Sequence, residues 1–180
     1  MRPFHPNRDG FALAEGAAAV YLRNQELEHK STSNSPATIT GWAETNDAYH
    51  ITDVEPEGRG LRQAVSTSLD RAGLTRRKID LLHAHLTTTQ GNDKVEQELI
   101  EVLVQGIKPA IGHTVGAAGL LEAIATVDVL KQQSPFPITP EPRISLPTPP
   151  SDFHHGITWN LGFGGHQAVV IFQKGPNKSL

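Results

Sequence analysis

Hydrophobic positions follow helical spacing in three segments of the chain. Residues 60–72 carry apolar side chains at i, i+3 and i+4, and Gly73 follows where a helix commonly ends in a left-handed residue. Residues 92–103 repeat this spacing after Asn92 and Asp93, both of which favour a helix N-terminus. A third helix is predicted from about 115 to 131, and its apolar side consists of Leu120, Leu121, Ile124, Val127 and Leu130.

Runs of β-favouring residues alternate with these helices. Strands are predicted around residues 18–22, 37–43, 78–82, 157–161 and 167–173, and the last two are joined by a glycine-rich turn at 162–165. The polar residues 26–36 read as an exposed connection and mark the best candidate boundary. Seven prolines between 134 and 150 forbid a helix and favour an extended connector. The alternation of helices and strands is typical of an α/β domain.

Composition narrows the classes of function. The chain has 180 residues, and 16 Lys+Arg against 19 Asp+Glu give a net charge of -3 without a run of like charge, so neither a nucleic-acid surface nor a polybasic membrane patch is expected. No apolar stretch approaches a membrane span, and residues 1–9 lack the apolar core of a secretory signal, so a cytoplasmic location is the expectation. The sequence has no cysteine, which removes disulfides and a cysteine nucleophile from this chain.

Three clusters contain residues able to do chemistry. Residues 83–89 contain His83, His85 and three threonines directly after a predicted buried strand. Residues 108–114 contain Lys108 and His113, just before a helix that begins with small residues. The third cluster is the Gly-Phe-Gly-Gly turn at 162–165. Taken singly, each also has an ordinary structural interpretation: a core histidine, close helix packing and a simple hairpin.

A zinc site is one alternative that the residues leave open. His83 and His85 would share a face if the strand continued through both, and His113 would supply a third imidazole. Three histidines with an open fourth position form a hydrolytic zinc centre. The sequence offers no carboxylate at a recognisable spacing to serve as ligand or base.

In this order, the three clusters resemble the C-terminal part of the β-ketoacyl-acyl-carrier-protein synthases, the condensing enzymes of fatty acid and polyketide synthesis. The family pattern Ala-His-Gly-Thr-X-Thr-X-X-Asn-Asp matches residues 84–93 except at Leu86, and Lys-X-X-X-Gly-His-X-X-Gly-Ala-Ala-Gly matches residues 108–119. Gly-Phe-Gly-Gly matches residues 162–165, and the Arg-Pro-Phe start and the Glu-Gly-Ala of residues 15–17 are also similar.

The resemblance implies a fold. It is the C-terminal half of the thiolase-like α/β fold, layered α/β/α around a mixed five-stranded sheet. Residues 1–33 would be the closing strand of the N-terminal half with its connection, and residues 34–180 would be the C-terminal half.

The resemblance also implies catalytic roles. His85 and His113 would donate hydrogen bonds to the malonyl thioester oxygen as decarboxylation turns it into an enolate. Lys108 resembles the lysine that organises this pair, placed behind His113, and Glu96 resembles the carboxylate partner of that lysine. Positive charge nearby would hold both imidazoles neutral.

Substrate contacts follow from the same resemblance. The phosphopantetheine arm of an acyl carrier protein would contact two threonines, and the acyl pocket would be gated at the glycine-rich turn, which gives the substrate-binding set Thr87, Thr89, Phe163 and Gly164. No bound cofactor and no metal are implied, because phosphopantetheine is carried by the acyl carrier protein. Two departures from the family are Leu86, expected to narrow the approach to His85, and His166-Gln167 in place of the usual Thr-Asn.

Two functions are consistent with these residues. The chain would be one subunit of a split β-ketoacyl synthase, supplying His85, His113 and Lys108 to an N-terminal-half protein that carries the nucleophilic cysteine. Alternatively it is a non-catalytic partner similar to a chain-length factor, or an inactive remnant. The retained histidines and lysine favour the first interpretation, whereas Leu86 favours the second.

Overall fold

The β-favouring runs pair into one mixed sheet of five strands. A computed structural model describes residues 1–24, 35–135 and 148–176. The strand order is β1-β5-β4-β2-β3, with β1 (Ala37–Asn46), β2 (Leu81–His83), β3 (Leu103–Gln105), β4 (His155–Gly162) and β5 (His166–Lys174). The long strands β1, β5 and β4 are antiparallel neighbours, whereas β2 runs parallel to both β4 and β3. The expected mixed five-stranded sheet is therefore confirmed.

Helices cover both faces of this sheet. They are α1 (Arg59–Ala72), α2 (Gln90–Gln97), the single turn α3 (Lys108–Ile111) and α4 (Ala118–Gln132). The apolar side of α1 packs with β5 residues such as Val169 and Ile171 on one face. On the opposite face, Val129 and Leu130 of α4 form a second apolar cluster. These two clusters make the expected α/β/α layers, and each buries its apolar surface away from water.

The glycine positions in the sequence correctly predict the end of α1 and the turn of the β4–β5 hairpin. The first helix ends at Gly73, which has a φ of 64° and donates its backbone N–H to Asp70 and Leu69, as the sequence pattern predicts. The hairpin turn places Gly164 and Gly165 at φ values of 80° and 81°. A side chain at Gly165 would collide with Asp47, so glycine is required there by both conformation and space.

The second helix differs from the prediction. It begins at Gln90 with Thr89 at the N-cap position, so Asn92 and Asp93 lie inside the helix. Both are buried and hydrogen-bonded: the Asn92 amide donates to Glu96 of the same helix, and Asp93 accepts from the backbone N–H of Phe4 in the N-terminal segment. The helix also ends at Gln97, before the predicted Leu103, which belongs instead to β3.

The fourth helix buries a face that matches the predicted one only in part. Leu120, Leu121 and Ile124 are only half-buried, whereas Leu130 is fully buried as predicted. The buried residues of the helix are Ala118, Glu122, Ala125, Thr126, Val129 and Leu130. Polar side chains are buried there because each has a partner: Glu122 pairs with Lys108, and the Thr126 hydroxyl donates to the Glu122 carbonyl.

The N-terminal segment is irregular and extended. The predicted buried strand at residues 18–22 is wrong for this chain, since Val20, Tyr21 and Leu22 are exposed and no strand of the described residues pairs with them. The segment is attached through its first half, where Phe4 enters the core of α1 and β5 and Leu13 forms a short parallel bridge with His113. The boundary expected near residue 33 and most of the proline-rich connector lie outside the described residues.

No helix among residues 1–24, 35–135 and 148–176 has the length and apolar character needed to cross a bilayer.

Candidate functional site

The site lies at the carboxyl end of β2, beside the parallel strand β4. His83 pairs in register with Thr158, so two residues further along, His85 just after β2 and Asn160 within β4 lie at the same edge of the sheet. The carboxyl ends of parallel strands commonly line clefts in α/β sheets. Here they open into a cleft of ≈ 500 Å³, whose lining includes Phe11, His85, Thr87, His113, Asn160 and Phe163.

The two histidines suggested by the sequence are neighbours in this cleft. Their ring centroids are 5.5 Å apart, and the rings stand edge to face at 87°. His85 is 6% exposed, and His113 is part-buried. One substrate group in the cleft can therefore contact both imidazoles.

Both imidazoles are held neutral. Burial lowers the pKa of His113 to about 4, and the positive charge of Lys108 adds to this shift. Burial lowers the pKa of His85 well below its ordinary value, and Lys108 and His113 lower it further. Near neutral pH each ring therefore has one N–H donor and one nitrogen acceptor.

The protonated nitrogen of His113 follows from its backbone contact. The Val115 N–H donates to His113 Nδ1 at 3.1 Å, so Nδ1 is the acceptor and the proton of the neutral ring is on Nε2. This contact requires an unusual backbone, because Val115 has a φ of 51°. A β-branched residue is strained in this left-handed region. The strain is thus located at the residue that sets the donor state of His113.

Lys108 lies behind His85, which corrects the expected placement behind His113. Its Nζ donates to the His85 carbonyl at 2.6 Å and lies 3.3 Å from His85 Nδ1. It also forms a buried ion pair with Glu122 of α4. Burial raises the pKa of Glu122 to about 7, and Lys108 opposes that rise. Sequence reasoning missed Glu122, although an isolated acidic residue within the apolar run of α4 was an available signal.

Glu96 is not the partner of Lys108. It is fully buried and accepts hydrogen bonds from the backbone N–H groups of His85 and Leu86 at 2.6 and 2.9 Å. The Asn92 amide and the Trp159 indole also donate to it, at 2.6 and 2.5 Å. Glu96 therefore holds the backbone turn that carries His85, a structural role different from the one expected.

Leu86 does not narrow the approach to His85. Its φ is 52°, which explains why glycine suits this position, and its side chain is fully buried. The side chain points to Gly106, where an added Cβ would collide with it. Leu86 lines neither this cleft nor the adjoining one. Because Gly106 has no side chain, there is space beside it for the side chain of Leu86.

The predicted substrate-binding residues lie along the mouth of the site. Thr87 lines the main cleft, and its hydroxyl is 3.1 Å from that of Thr89, which lines an adjoining cleft of ≈ 340 Å³. His85 and Phe163 border both clefts. Phe163 is 69% exposed at the hairpin turn, beside Gly164, whose backbone N–H donates to the Ile51 carbonyl. The two threonines and Phe163 thus border one continuous path to the histidines.

The position of His83 does not allow the three-histidine zinc site suggested by the sequence. The strand β2 ends at His83, so the alternation assumed for His83 and His85 does not continue. His83 is fully buried, with Nδ1 3.2 Å from the Gln105 amide and Nε2 accepting from the Ile107 N–H. Among the described residues, no group of three metal-binding side chains could hold an ion.

The N-terminal segment holds His113, which sequence reasoning did not anticipate. The His113 N–H donates to the Ala12 carbonyl at 2.8 Å, and its carbonyl accepts from the Ala14 N–H at 3.0 Å. The Phe11 ring lies 5.1 Å from the imidazole, measured between centroids. A side chain at Gly112 would collide with Ala14, so the glycine of the Gly-His motif allows this close approach.

Comparison with known proteins agrees with this geometry. Residues 36–140 match the family model described as the C-terminal domain of β-ketoacyl synthase. The 3-oxoacyl-[acyl-carrier-protein] synthase 2 of Staphylococcus aureus (strain COL) is 35% identical over 191 residues, covering 96% of this chain and 46% of the relative. The chloroplastic 3-oxoacyl-[acyl-carrier-protein] synthase I of Hordeum vulgare is 34% identical, covering 95% and 41%.

Solved structures give the same result. One is a type II polyketide synthase acyl carrier protein in complex with its ketosynthase, with a TM-score of 0.86 and 26% identity over 96% of this chain and 47% of that one. Another is the ishigamide ketosynthase/chain length factor, with a TM-score of 0.79 and 28% identity over 96% and 46%. The chain spans about half the length of the curated relatives it matches. It belongs to the β-ketoacyl synthase family and corresponds to the C-terminal domain of those enzymes.

Proposed function

We propose that this chain supplies the decarboxylation and condensation half of a β-ketoacyl synthase site, with the nucleophilic cysteine provided by an N-terminal-half protein. The observation that carries the proposal is the pair of neutral imidazoles, 5.5 Å apart, on one cleft. The reaction extends an acyl chain of the fatty acid or polyketide type, and the assembly acts in the cytoplasm.

The chemistry assigns each imidazole a donor role. In the first step the malonyl C–C bond breaks, carbon dioxide leaves, and the electron pair moves into an enolate whose charge rests on the thioester oxygen. An N–H from His85 and one from His113 stabilise that oxygen, as donors aimed at developing charge do. In the second step the carbanion forms a new C–C bond with the acyl group on the cysteine, and the cysteine thiolate leaves.

Electrostatics supports these donor roles. An imidazolium in the cleft would attract the malonyl carboxylate and stabilise the negative charge there, whereas decarboxylation moves that charge to the thioester oxygen as neutral carbon dioxide leaves. The positive charge of Lys108 opposes protonation of both rings. The ion pair with Glu122 holds that charge in place behind His85. The Val115 N–H leaves the proton of His113 on Nε2, the donor state that the mechanism needs.

The mouth of the site is suited to a carrier arm. We assign Thr87 and Thr89 as hydrogen-bonding contacts for the phosphopantetheine of an acyl carrier protein, and Phe163 with Gly164 as the gate beside the acyl chain. A solved structure similar to this chain contains an acyl carrier protein in complex with its ketosynthase, which supports this class of partner. The non-catalytic alternative loses its main argument, because Leu86 does not obstruct His85.

Half-exposed apolar residues support the partnership. Leu120, Leu121 and Ile124 of α4 are half-buried, with Leu121 beside Gly16 of the N-terminal segment, and Val20, Tyr21 and Leu22 of that segment are exposed. Apolar side chains exposed to solvent are a feature of interfaces where they form a patch. We expect the purified chain to form a hetero-oligomer with a cysteine-bearing N-terminal half, measured by light scattering, and Leu121→Lys to weaken that complex. A fully monomeric mixture would contradict the assignment.

The activity is tested by reconstitution. The chain is mixed with an N-terminal half that contains the cysteine, and release of carbon dioxide from malonyl-acyl carrier protein is followed separately from acyl loading. His85→Ala and His113→Ala should each lower decarboxylation by at least about a hundredfold, the loss typical of removing one oxyanion donor, and leave loading nearly intact. His154→Ala is the matched control, since His154 is exposed and lies outside the cleft. Equal rates for all three variants would refute the proposal.

The isolated chain provides a further check. Acylation requires a thiolate nucleophile, and the sequence has no cysteine. Incubation with acyl-carrier thioester should therefore leave its mass unchanged, and a covalent acyl adduct would contradict the assigned division of labour.

A further inference from the structure

The side chain of Asn160 stands beside the ring of His85. Asn160 is on β4, and its Oδ1 is 3.2 Å from His85 Nδ1. Gly119 of α4 faces the amide from the other side, and a Cβ there would lie 3.3 Å from Asn160 Nδ2. A side chain at position 119 would therefore crowd the amide against the imidazole.

His85 Nδ1 has two neighbours with opposite requirements. The Lys108 Nζ lies 3.3 Å away and can only donate a hydrogen bond, whereas the Asn160 Oδ1 can only accept one. A neutral imidazole has one N–H, so Nδ1 can satisfy one neighbour at a time. When Nδ1 accepts from Lys108, the proton is on Nε2; when Nδ1 donates to Asn160, Nε2 is a bare acceptor.

We propose that Asn160 is a positioning residue that stabilises the tautomer of His85 with the proton on Nδ1, in competition with Lys108. His113 is held in one tautomer by the Val115 N–H, whereas His85 has a built-in alternative. The two histidines are therefore not equivalent: His113 is a fixed donor, and His85 presents either a donor or an acceptor to the cleft. The effect of this difference on decarboxylation rests on the proposed function.

The surroundings of His85 keep its ring neutral, so its two forms differ in tautomer and not in charge. Lys108 from α3 and His113 from the following loop face the ring, and Glu122 reaches it through its contacts with Lys108 and with the Asn160 amide. Glu96 binds the backbone of His85 and not its ring. Since burial lowers the pKa of His85, and Lys108 and His113 lower it further, the ring stays neutral near pH 7. The ratio of the two forms should not change between about pH 6.5 and 8.

The test is a long-range proton–nitrogen NMR spectrum of the chain labelled with ¹⁵N-histidine, which distinguishes the two ring nitrogens directly. In Asn160→Ala, the ratio of the Nδ1–H form to the Nε2–H form should fall about fivefold, the factor expected for loss of one ordinary hydrogen bond. In Asn160→Asp, which keeps the shape and accepts more strongly, the Nδ1–H form should increase. An unchanged ratio in both variants would overturn the inference, as would a change in the reverse direction.

Asn46 provides a matched control. Its amide lies 3.3 Å from His166 Nδ1, so Asn46→Ala removes a similar contact from a different histidine and should leave the His85 signals unchanged. Asn160→Ser serves as a second variant should the alanine variant fold poorly. The NMR measurement needs neither partner nor turnover. A shifted tautomer without decarboxylation in the reconstituted complex would reject the proposed function alone, and normal decarboxylation with an unshifted tautomer would reject this inference alone.

Discussion

The two histidines of the site are built differently. His85 is surrounded by buried side chains: Lys108 contacts its ring and carbonyl, and Glu96 binds its backbone N–H. His113 is part-buried and is held by backbone contacts with residues 12 and 14 and by the Val115 N–H. The two rings have the same chemistry and lie side by side, yet one belongs to the core and the other to a loop.

Because of this difference, substitutions near the two histidines should differ in how far they affect stability as well as chemistry. Groups around His85 also hold the core together, so substitutions there should affect folding as well as chemistry. Groups around His113 set its orientation at little cost to the rest of the fold, because they lie at the surface. Four predictions test this contrast, from the largest effect to the smallest.

Lys108→Met should have the largest effect. It leaves Glu122 buried without its cationic partner, and breaking a buried ion pair on one side typically costs about 3–5 kcal/mol. The free energy of unfolding, measured by urea denaturation, should fall by this amount. The double variant Lys108→Met/Glu122→Gln should recover part of the loss, because the unpaired charge is removed. A loss below about 1 kcal/mol in the single variant would mean that the groups around His85 do not contribute to the stability of the core.

Acid should destabilise the protein through its buried histidines. Burial lowers the pKa of His83 to about 3 and that of His113 to about 4, so between these values and 6.5 the unfolded chain binds more protons. The histidine contribution to stability should therefore rise with pH from about 4 to 6.5. Three carboxyls act in the opposite direction, because burial raises the pKa of Asp93, of Glu96 and of Glu122, the last to about 7, so the histidine contribution is measured as the difference between the protein and its histidine variants.

The measurement is the urea midpoint as a function of pH. His83→Gln should flatten the curve more than His113→Gln, because His83 is fully buried and has the lower pKa. Equal flattening by the two variants would remove the contrast between core and loop.

Leu86 and Gly106 should be energetically coupled. Gly106→Ala forces a side chain against Leu86, and overpacking of this kind costs about 1–3 kcal/mol. In the Leu86→Gly background the same substitution should cost less than about 1 kcal/mol, since the colliding side chain is gone. A double-mutant cycle on unfolding free energies measures the difference. Additive effects would show that the two positions do not share this space.

Val115→Gly should have the smallest effect on stability and the opposite sign. Glycine relieves the strained φ of 51°, and the exposed valine side chain loses little burial, so a gain of up to about 1 kcal/mol is expected. Ala48→Gly, at a φ of 49° on an exposed residue outside the cleft, is the matched control for strain relief alone. A loss of stability in Val115→Gly, alongside a gain in Ala48→Gly, would show that Val115 contributes through contacts and not through strain.

The sequence predicts those parts of the fold that local signals determine. The periodicity before Gly73 gives α1, and the glycine turn gives the β4–β5 hairpin. Strands of three residues such as β2 and β3 are too short for a reliable periodic signal, which explains the shifted strand at 78–82 and the missed strand at 103–105. The face of α4 was predicted only in part, because its polar residue Glu122 is buried through a partner distant in sequence.

For the site, the motifs identified His85, His113 and Lys108 but not the contacts among them. The pairing of Lys108 with Glu122 depends on how α3 packs against α4, which no local pattern contains. Leu86 was expected to block the cleft because the left-handed turn that redirects its side chain is invisible in the sequence. Asn160 was missed because its role arises from the register of two parallel strands.

The contacts that residues 12 and 14 make with His113 predict an uneven tolerance of sequence change. Because those contacts come from backbone N–H and carbonyl groups, most side chains at Ala12 and Leu13 should be compatible with a well-placed His113. The contacts around His85 come from side chains, so a saturation library should accept few replacements at Glu96, Lys108 and Glu122. In the proposed catalytic pair, the surroundings of His113 would thus vary freely, whereas those of His85 would change only through coordinated substitutions.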